Sequence, residues 1–99
     1  MHNYMKKLEA KKREVGESPE FIRTKEKYVP AVVYGKGEEN ILVKVPDNVF
    51  RSLYRDIRDG AEFILSVEGD KEYTVVLKDM QVHPTTGFII HIDFLIAGE

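Results

Sequence analysis

A chain of 99 residues is long enough for one modest hydrophobic core and too short for two. Its 42% hydrophobic and 32% charged residues are the balance of a soluble globular domain, and no apolar run approaches the roughly 18 residues of a membrane helix. The lack of cysteine excludes disulfides and thiolate chemistry, and a net charge of −2 argues against a nucleic-acid partner unless the basic residues are gathered in one region. They are partly gathered: residues 1–30 carry eight basic and five acidic side chains, residues 31–99 seven and twelve. The N-terminus lacks the apolar stretch of a secretory signal, so the expectation is one cytoplasmic domain with no membrane partner.

In chain order, "KKLEAKKRE" is built from good helix formers, and propensity alone predicts a helix over residues 5–14. In "ESPEFIR", Ser18 can cap, Pro19 suits the first helical position and Glu20 complements the positive end of the dipole, which predicts a short helix over residues 19–26. The β-rich runs "YVPAVVY" and "ILVKV" flank "GKGEEN" and read as a hairpin, with Pro30 suited to an edge or irregular place. In "PDNVFRSLYRDIRDG", Asp47 can cap, and Val49, Phe50, Leu53, Tyr54 and Ile57 recur on one helical face before Gly60 ends the element. Arg51, Arg55 and Arg58, mixed with Asp56 and Asp59, fall on the solvated side.

"EFILSVEGDKEYTVVLK" predicts two strands around a Gly69–Asp70 turn, with Phe63, Leu65, Val67, Tyr73, Val75 and Leu77 inward. "HPTTG" breaks the chain before a last strand. There Phe88, Ile90, Ile92, Phe94 and Ile96 share an apolar face, while Ile89, His91, Asp93 and Leu95 share the other. His91 and Asp93 therefore point together toward the more solvated side. Short strands with helices between them predict an α+β, mostly β fold: a small closed antiparallel-rich β-barrel with two or three short helices.

A His–Asp couple can act as a general base with its orienting acid, but such catalysis also needs a nucleophile and an oxyanion site, and no G-x-S-x-G elbow or cysteine exists. His83, His91 and Asp93 offer three metal ligands, yet their spacing across a loop matches no zinc pattern. Glycines beside a lysine in "YGKGEEN" suggest a phosphate loop, but G-x-x-x-x-G-K-[ST] is absent and a hairpin turn accounts for them. Tyr34 can stack on a base or simply pack. Periodicity alone leaves His91 and Asp93 as either a recognition pair or a hydrogen-bonded surface pair. No catalytic residue, metal or cofactor is expected.

The series "LEAKKRE", "VPAVVYGKGEEN" and "ILSVEGDKEYTVVLKDMQVHPTTGFIIHIDF" resembles the bacterial large-subunit ribosomal protein twenty-five family, which includes the general stress protein Ctc and binds 5S ribosomal RNA. The resemblance runs from about Leu8 to Leu95, and it is the combination of "PAVVYGKG" with "KDMQVHPTTG" and "HIDF" that is specific. It implies a small β-barrel that docks on loop E of 5S RNA in the large ribosomal subunit and is a monomer when free. It also implies that "LEAKKRE" is a strand with Leu8 and Ala10 inward, a version adopted here over propensity.

The RNA-facing positions implied by the resemblance are Arg13, Tyr34, Gln81, His91 and Asp93, with Lys12, Arg13, Arg23 and Lys25 on phosphates. Three features depart from the family pattern: "GESPEFIRTKEKYV" has fewer arginines and added glutamates, Val82 stands where arginine is common, and the whole is acidic. They leave open a second reading, a stress-related protein-binding paralogue on the same fold with reduced or no RNA contact.

Overall fold

The computed structural model describes residues 6–14, 16–35, 37–57 and 60–97, apart from the side chain of Glu38. The first strand, β1 (Lys7–Lys12), forms against its helix-forming composition: Leu8 and Ala10 are buried, and Lys7, Glu9 and Lys11 are exposed. On a helix Leu8 and Ala10 would lie about 200° apart with no common face, whereas on a strand they share one. Burial therefore selects the strand.

β2 (Tyr28–Gly35) and β3 (Glu38–Pro46) form the expected hairpin, as do β4 (Glu62–Val67) and β5 (Glu72–Val82), and β6 (Ile89–Ile96) follows. The strands close into a barrel in the order β1-β3-β2-β6-β5-β4, with β4 returning to β1. Neighbours are antiparallel except for the parallel pairs β1/β4 and β2/β6. Closure leaves β2 with partners on both sides, so Pro30 is not on an edge strand; it precedes the start of the β6 pairing at Ala31. At Gly35, where the β2–β3 register shifts, φ is 121° and an added Cβ would lie 3.1 Å from Leu95 Cδ1, so the position requires glycine.

The helix expected over residues 19–26 is present in extent but not in type. One α turn, α1 (Pro19–Phe21), widens into a π-helix over Ile22–Glu26. Ser18 Oγ caps it by accepting from Phe21 N at 3.1 Å, and Lys27, at φ 62°, ends it in the left-handed region.

The second helix, α2 (Asp47–Asp56), differs in three respects from expectation. Pro46 holds the cap position, and the Asp47 carboxylate accepts from Arg51 Nε at 3.0 Å instead of capping. The helix stops at Asp56, before Gly60. Only Phe50 and Leu53 are buried, with Ile57 partly so, while Val49 and Tyr54 are each 44% exposed. A helix touching a curved barrel wall buries a narrow i, i+3, i+7 stripe rather than a broad face. Arg58 and Asp59 lie outside the described residues.

The barrel interior is filled by the inward rows of all six strands, and the expected residues of β4 and β5 are buried except Leu77, which is half-buried. In β6 the expected row needs correction at its start. Gln81 pairs with His91 and Val82 with Ile89, so β6 carries an extra residue, a bulge, at Ile90. The bulge reverses the alternation: Ile89 turns inward and Phe88 is 61% exposed, while Ile92 and Phe94 are buried as expected. Among the described residues no helix is long and apolar enough to cross a membrane.

Candidate nucleic-acid interface

Cross-strand pairing of β5 and β6 places Gln81 opposite His91 and Asp79 opposite Asp93, all on the outer face. With Met80 they line a hollow of about 350 Å³. His91 Nδ1 lies 3.1 Å from Asp93 Oδ1, the i, i+2 contact that strand alternation brings together. A second register shift, between Leu77 and Asp79, sets Asp79 against Asp93.

Two carboxylates directly opposite one another repel unless donors come between them, so the hollow is suited to a ligand that donates hydrogen bonds. Sequence reasoning missed Asp79, although its position two residues before Gln81 already placed it on the same side of the strand.

The other expected positions are distributed around this hollow. Asp93 pairs with Val32 on β2, Val32 with Leu42 on β3, and the Leu42 carbonyl accepts from Arg13 N at 3.1 Å. Arg13 thus ends a row three strands from Asp93, roughly 14 Å away at the usual strand spacing. The exposed Leu42 side chain stands between them. Tyr34 is beside Leu95, two residues further along β2.

Arg23 and Lys25 ride on the π-helix, where Arg23 lines a separate groove of about 340 Å³ with Tyr28 and Phe88, and its buried Nε has no hydrogen-bond partner among the described residues. Lys12 is drawn to Asp70 in the β4–β5 turn, at 3.5 Å. The structure therefore brings Gln81, His91 and Asp93 together, sets Arg13 and Tyr34 around them, and leaves Lys12, Arg23 and Lys25 elsewhere on the surface.

His83 is not part of the group. Its Nδ1 accepts from Thr85 N at 3.1 Å and Thr86 N at 3.2 Å, which holds the turn before β6. Among the described residues no set of three or more His, Cys, Asp or Glu is placed to hold a metal ion.

Two of the glutamates in "GESPEFIRTKE", Glu17 and Glu26, have an internal partner. Lys44, on β3 and only 8% exposed, donates to Glu17 Oε2 at 2.6 Å and to Glu26 Oε1 at 2.7 Å. The Lys44 hydrogen bond, followed by that from Glu14 N, holds the Glu17 carboxyl below its ordinary value of 4.5. Burial alone would lower the Lys44 ammonium, but the hydrogen bonds and charges of the two glutamates outweigh it and hold it above its ordinary value.

A carboxyl lowered on folding binds fewer protons folded than unfolded, so its stabilisation is complete above the unfolded value and is lost as pH falls through the folded one. Wild-type protein is expected to lose thermal stability below pH 4.5 more steeply than Glu17→Gln. Asp70, lowered chiefly by the Lys71 backbone N–H, contributes to both proteins and cancels in the comparison. Parallel acid profiles would show that the Glu17–Lys44 pair contributes nothing to stability.

A family model described as the Ribosomal L25p family matches residues 8–94. The large ribosomal subunit protein bL25 of Desulfosudis oleivorans is 36% identical over 95 residues, covering 91% of this chain and 42% of that protein. Its counterpart in Caldicellulosiruptor bescii is 39% identical over 75 residues, covering 76% of this chain and 37% of that protein. For Rhodospirillum rubrum the identity is 33% over 94 residues, covering 93% and 45% respectively. The chain spans about two-fifths of the length of the curated relatives it matches. Since the match begins in β1 and ends in β6, taking in every strand of the barrel and both helices, the chain belongs to the Ribosomal L25p family.

Proposed function

We propose that this chain is a non-enzymatic RNA-binding protein of the large ribosomal subunit, docking through the outer face of β5 and β6 onto the loop E region of 5S ribosomal RNA. The hollow formed by Asp79, Gln81, His91 and Asp93 is the observation that carries this reading, because it sets two acceptor-only side chains beside two that can donate or accept. The relatives are named as large ribosomal subunit proteins, which favours a ribosomal RNA partner. The site of action is then the ribosome in the cytoplasm, and the free protein is a monomer.

A regular A-form major groove is too narrow to read, but a distorted loop with a widened minor groove exposes base edges and 2′-hydroxyls. The exocyclic amine of guanine is the donor that the bases offer there, and Asp93 would accept from it. His91 and Gln81 would meet base edges and ribose hydroxyls, and Tyr34 a ribose or base face. Arg13, at the end of the row from Asp93, would contact a phosphate and set the register, while Lys12, Arg23 and Lys25 would reach phosphates only where the RNA extends beyond the hollow. A carboxylate near phosphates is costly unless it makes such a bond, so Asp93 favours base reading over simple tethering.

In a gel shift, RNA fragments carrying loop E are expected to bind and regular duplexes of equal length to bind much more weakly. The log–log salt slope should be shallow, corresponding to about two to four phosphate contacts at roughly 0.7 to 0.9 each. Equal binding to both RNAs would leave only nonspecific attraction and would sink the proposal.

A further inference from the structure

Between β1 and β2 the chain leaves the barrel wall as an arm that carries Arg13, Arg23 and Lys25. Glu17 is bonded through both its side chain and its backbone. One carboxylate oxygen accepts from Lys44 Nζ at 2.6 Å and the other from Glu14 N at 3.0 Å, its backbone N donates to Glu14 O at 3.1 Å, and its carbonyl accepts from Arg13 Nη2 at 3.2 Å. Lys44 is nearly buried, so the anchor at the other end of the clamp is the barrel itself. The far end of the arm is tied to the same ammonium through Glu26 at 2.7 Å.

We propose that Glu17 is a positioning residue for RNA binding: held by Lys44, it presets the Arg13 guanidinium at the end of the row that starts at Asp93. The proposal rests on the reading that this face binds RNA. An arginine held before binding loses less rotamer freedom when the RNA arrives. The Glu17 carbonyl occupies one of five guanidinium N–H donors, so the remaining four are left for a phosphate. An acidic side chain in an arm that meets RNA is thereby accounted for: its charge is spent on an internal lysine, and its effect on RNA is exerted through Arg13.

This role and plain electrostatics predict opposite signs. Removing a carboxylate from a protein that binds a polyanion should tighten binding. If Glu17 positions Arg13, Glu17→Ala should instead weaken binding to loop E RNA by about fivefold or more, with Glu17→Gln, which keeps an acceptor for Glu14 N, in between. The decisive readout is a double-mutant cycle. Arg13→Ala should cost at least about threefold less in the Glu17→Ala background than in wild type, because the arginine is already misplaced there.

A merely structural glutamate would leave the two Arg13→Ala effects equal. If Glu17→Ala does not fold, the same cycle is run on Glu17→Gln, where the shape is kept. Binding that is unchanged or tighter in the Glu17 variants, or equal Arg13 effects in both backgrounds, overturns the proposal while wild-type loop E binding stands. Absence of wild-type binding instead overturns the underlying reading.

Discussion

Phe94→Ala is expected to destabilise the protein by about 3 to 5 kcal/mol, the usual cost of emptying a packed aromatic site. Phe94 is fully buried at the centre of the barrel, with its ring edge-on to Phe63 (centroids 5.8 Å apart, planes at 79°) and to Phe50 of α2 (6.3 Å, 72°). Removing it takes one partner from each of two aromatic pairs and opens a void that closed strands cannot collapse to fill. Since small domains are stable by only about 5 to 15 kcal/mol, the loss is a large share of the total. Urea unfolding should show a lower midpoint with an unchanged m-value. A loss under about 1 kcal/mol would mean that α2 and the barrel wall repack around the gap.

The second large effect concerns binding. Asp93→Ala is expected to weaken loop E binding by about 1 to 3 kcal/mol, the range for a good base contact, and Asp93→Asn by less because the amide still presents an oxygen. The fold should survive both changes within about 0.5 kcal/mol, since Asp93 lies on the outer face, against His91 Nδ1 at 3.1 Å and opposite Asp79, and removing it opens no gap in the core. Phe94 and Asp93 are adjacent in the chain and point to opposite faces, so the two variants separate stability from recognition. If Asp93→Ala unfolds the domain, or leaves loop E binding intact, the His91–Asp93 pair is a structural surface pair.

Much of this protein was legible in its sequence where one rule of periodicity acted alone. The β4–β5 hairpin emerges with the expected inward residues apart from half-buried Leu77, whereas the Leu8/Ala10 strand is legible only through the family resemblance, against propensity. His91 and Asp93 come out side by side because two residues of a strand separate repeats on one face. The errors fall where a neighbour outside the local window decides. Val49 and Tyr54 have helical spacing, but the curvature of the barrel leaves α2 only a narrow contact. Phe88 has strand spacing, but the bulge at Ile90, present only because β6 must pair with β5, turns it outward.

The same division runs through the candidate site. The short-strand architecture and the polar face of the last strand are legible in the sequence because alternation and turn chemistry are local and survive any tertiary arrangement, and the family is legible through the resemblance of its motifs. Only the tertiary structure decided that Asp79 faces Asp93, that Arg13 ends the row through Val32 and Leu42, and that Glu17 and Glu26 neutralise a buried lysine instead of opposing an RNA. Each of these depends on a register or an ion pair between residues 10 to 61 positions apart in the chain, from Val32–Leu42 to Val32–Asp93. The cause is that interstrand register is set by which inward rows fill the core together, a property of the closed barrel as a whole and of no single segment.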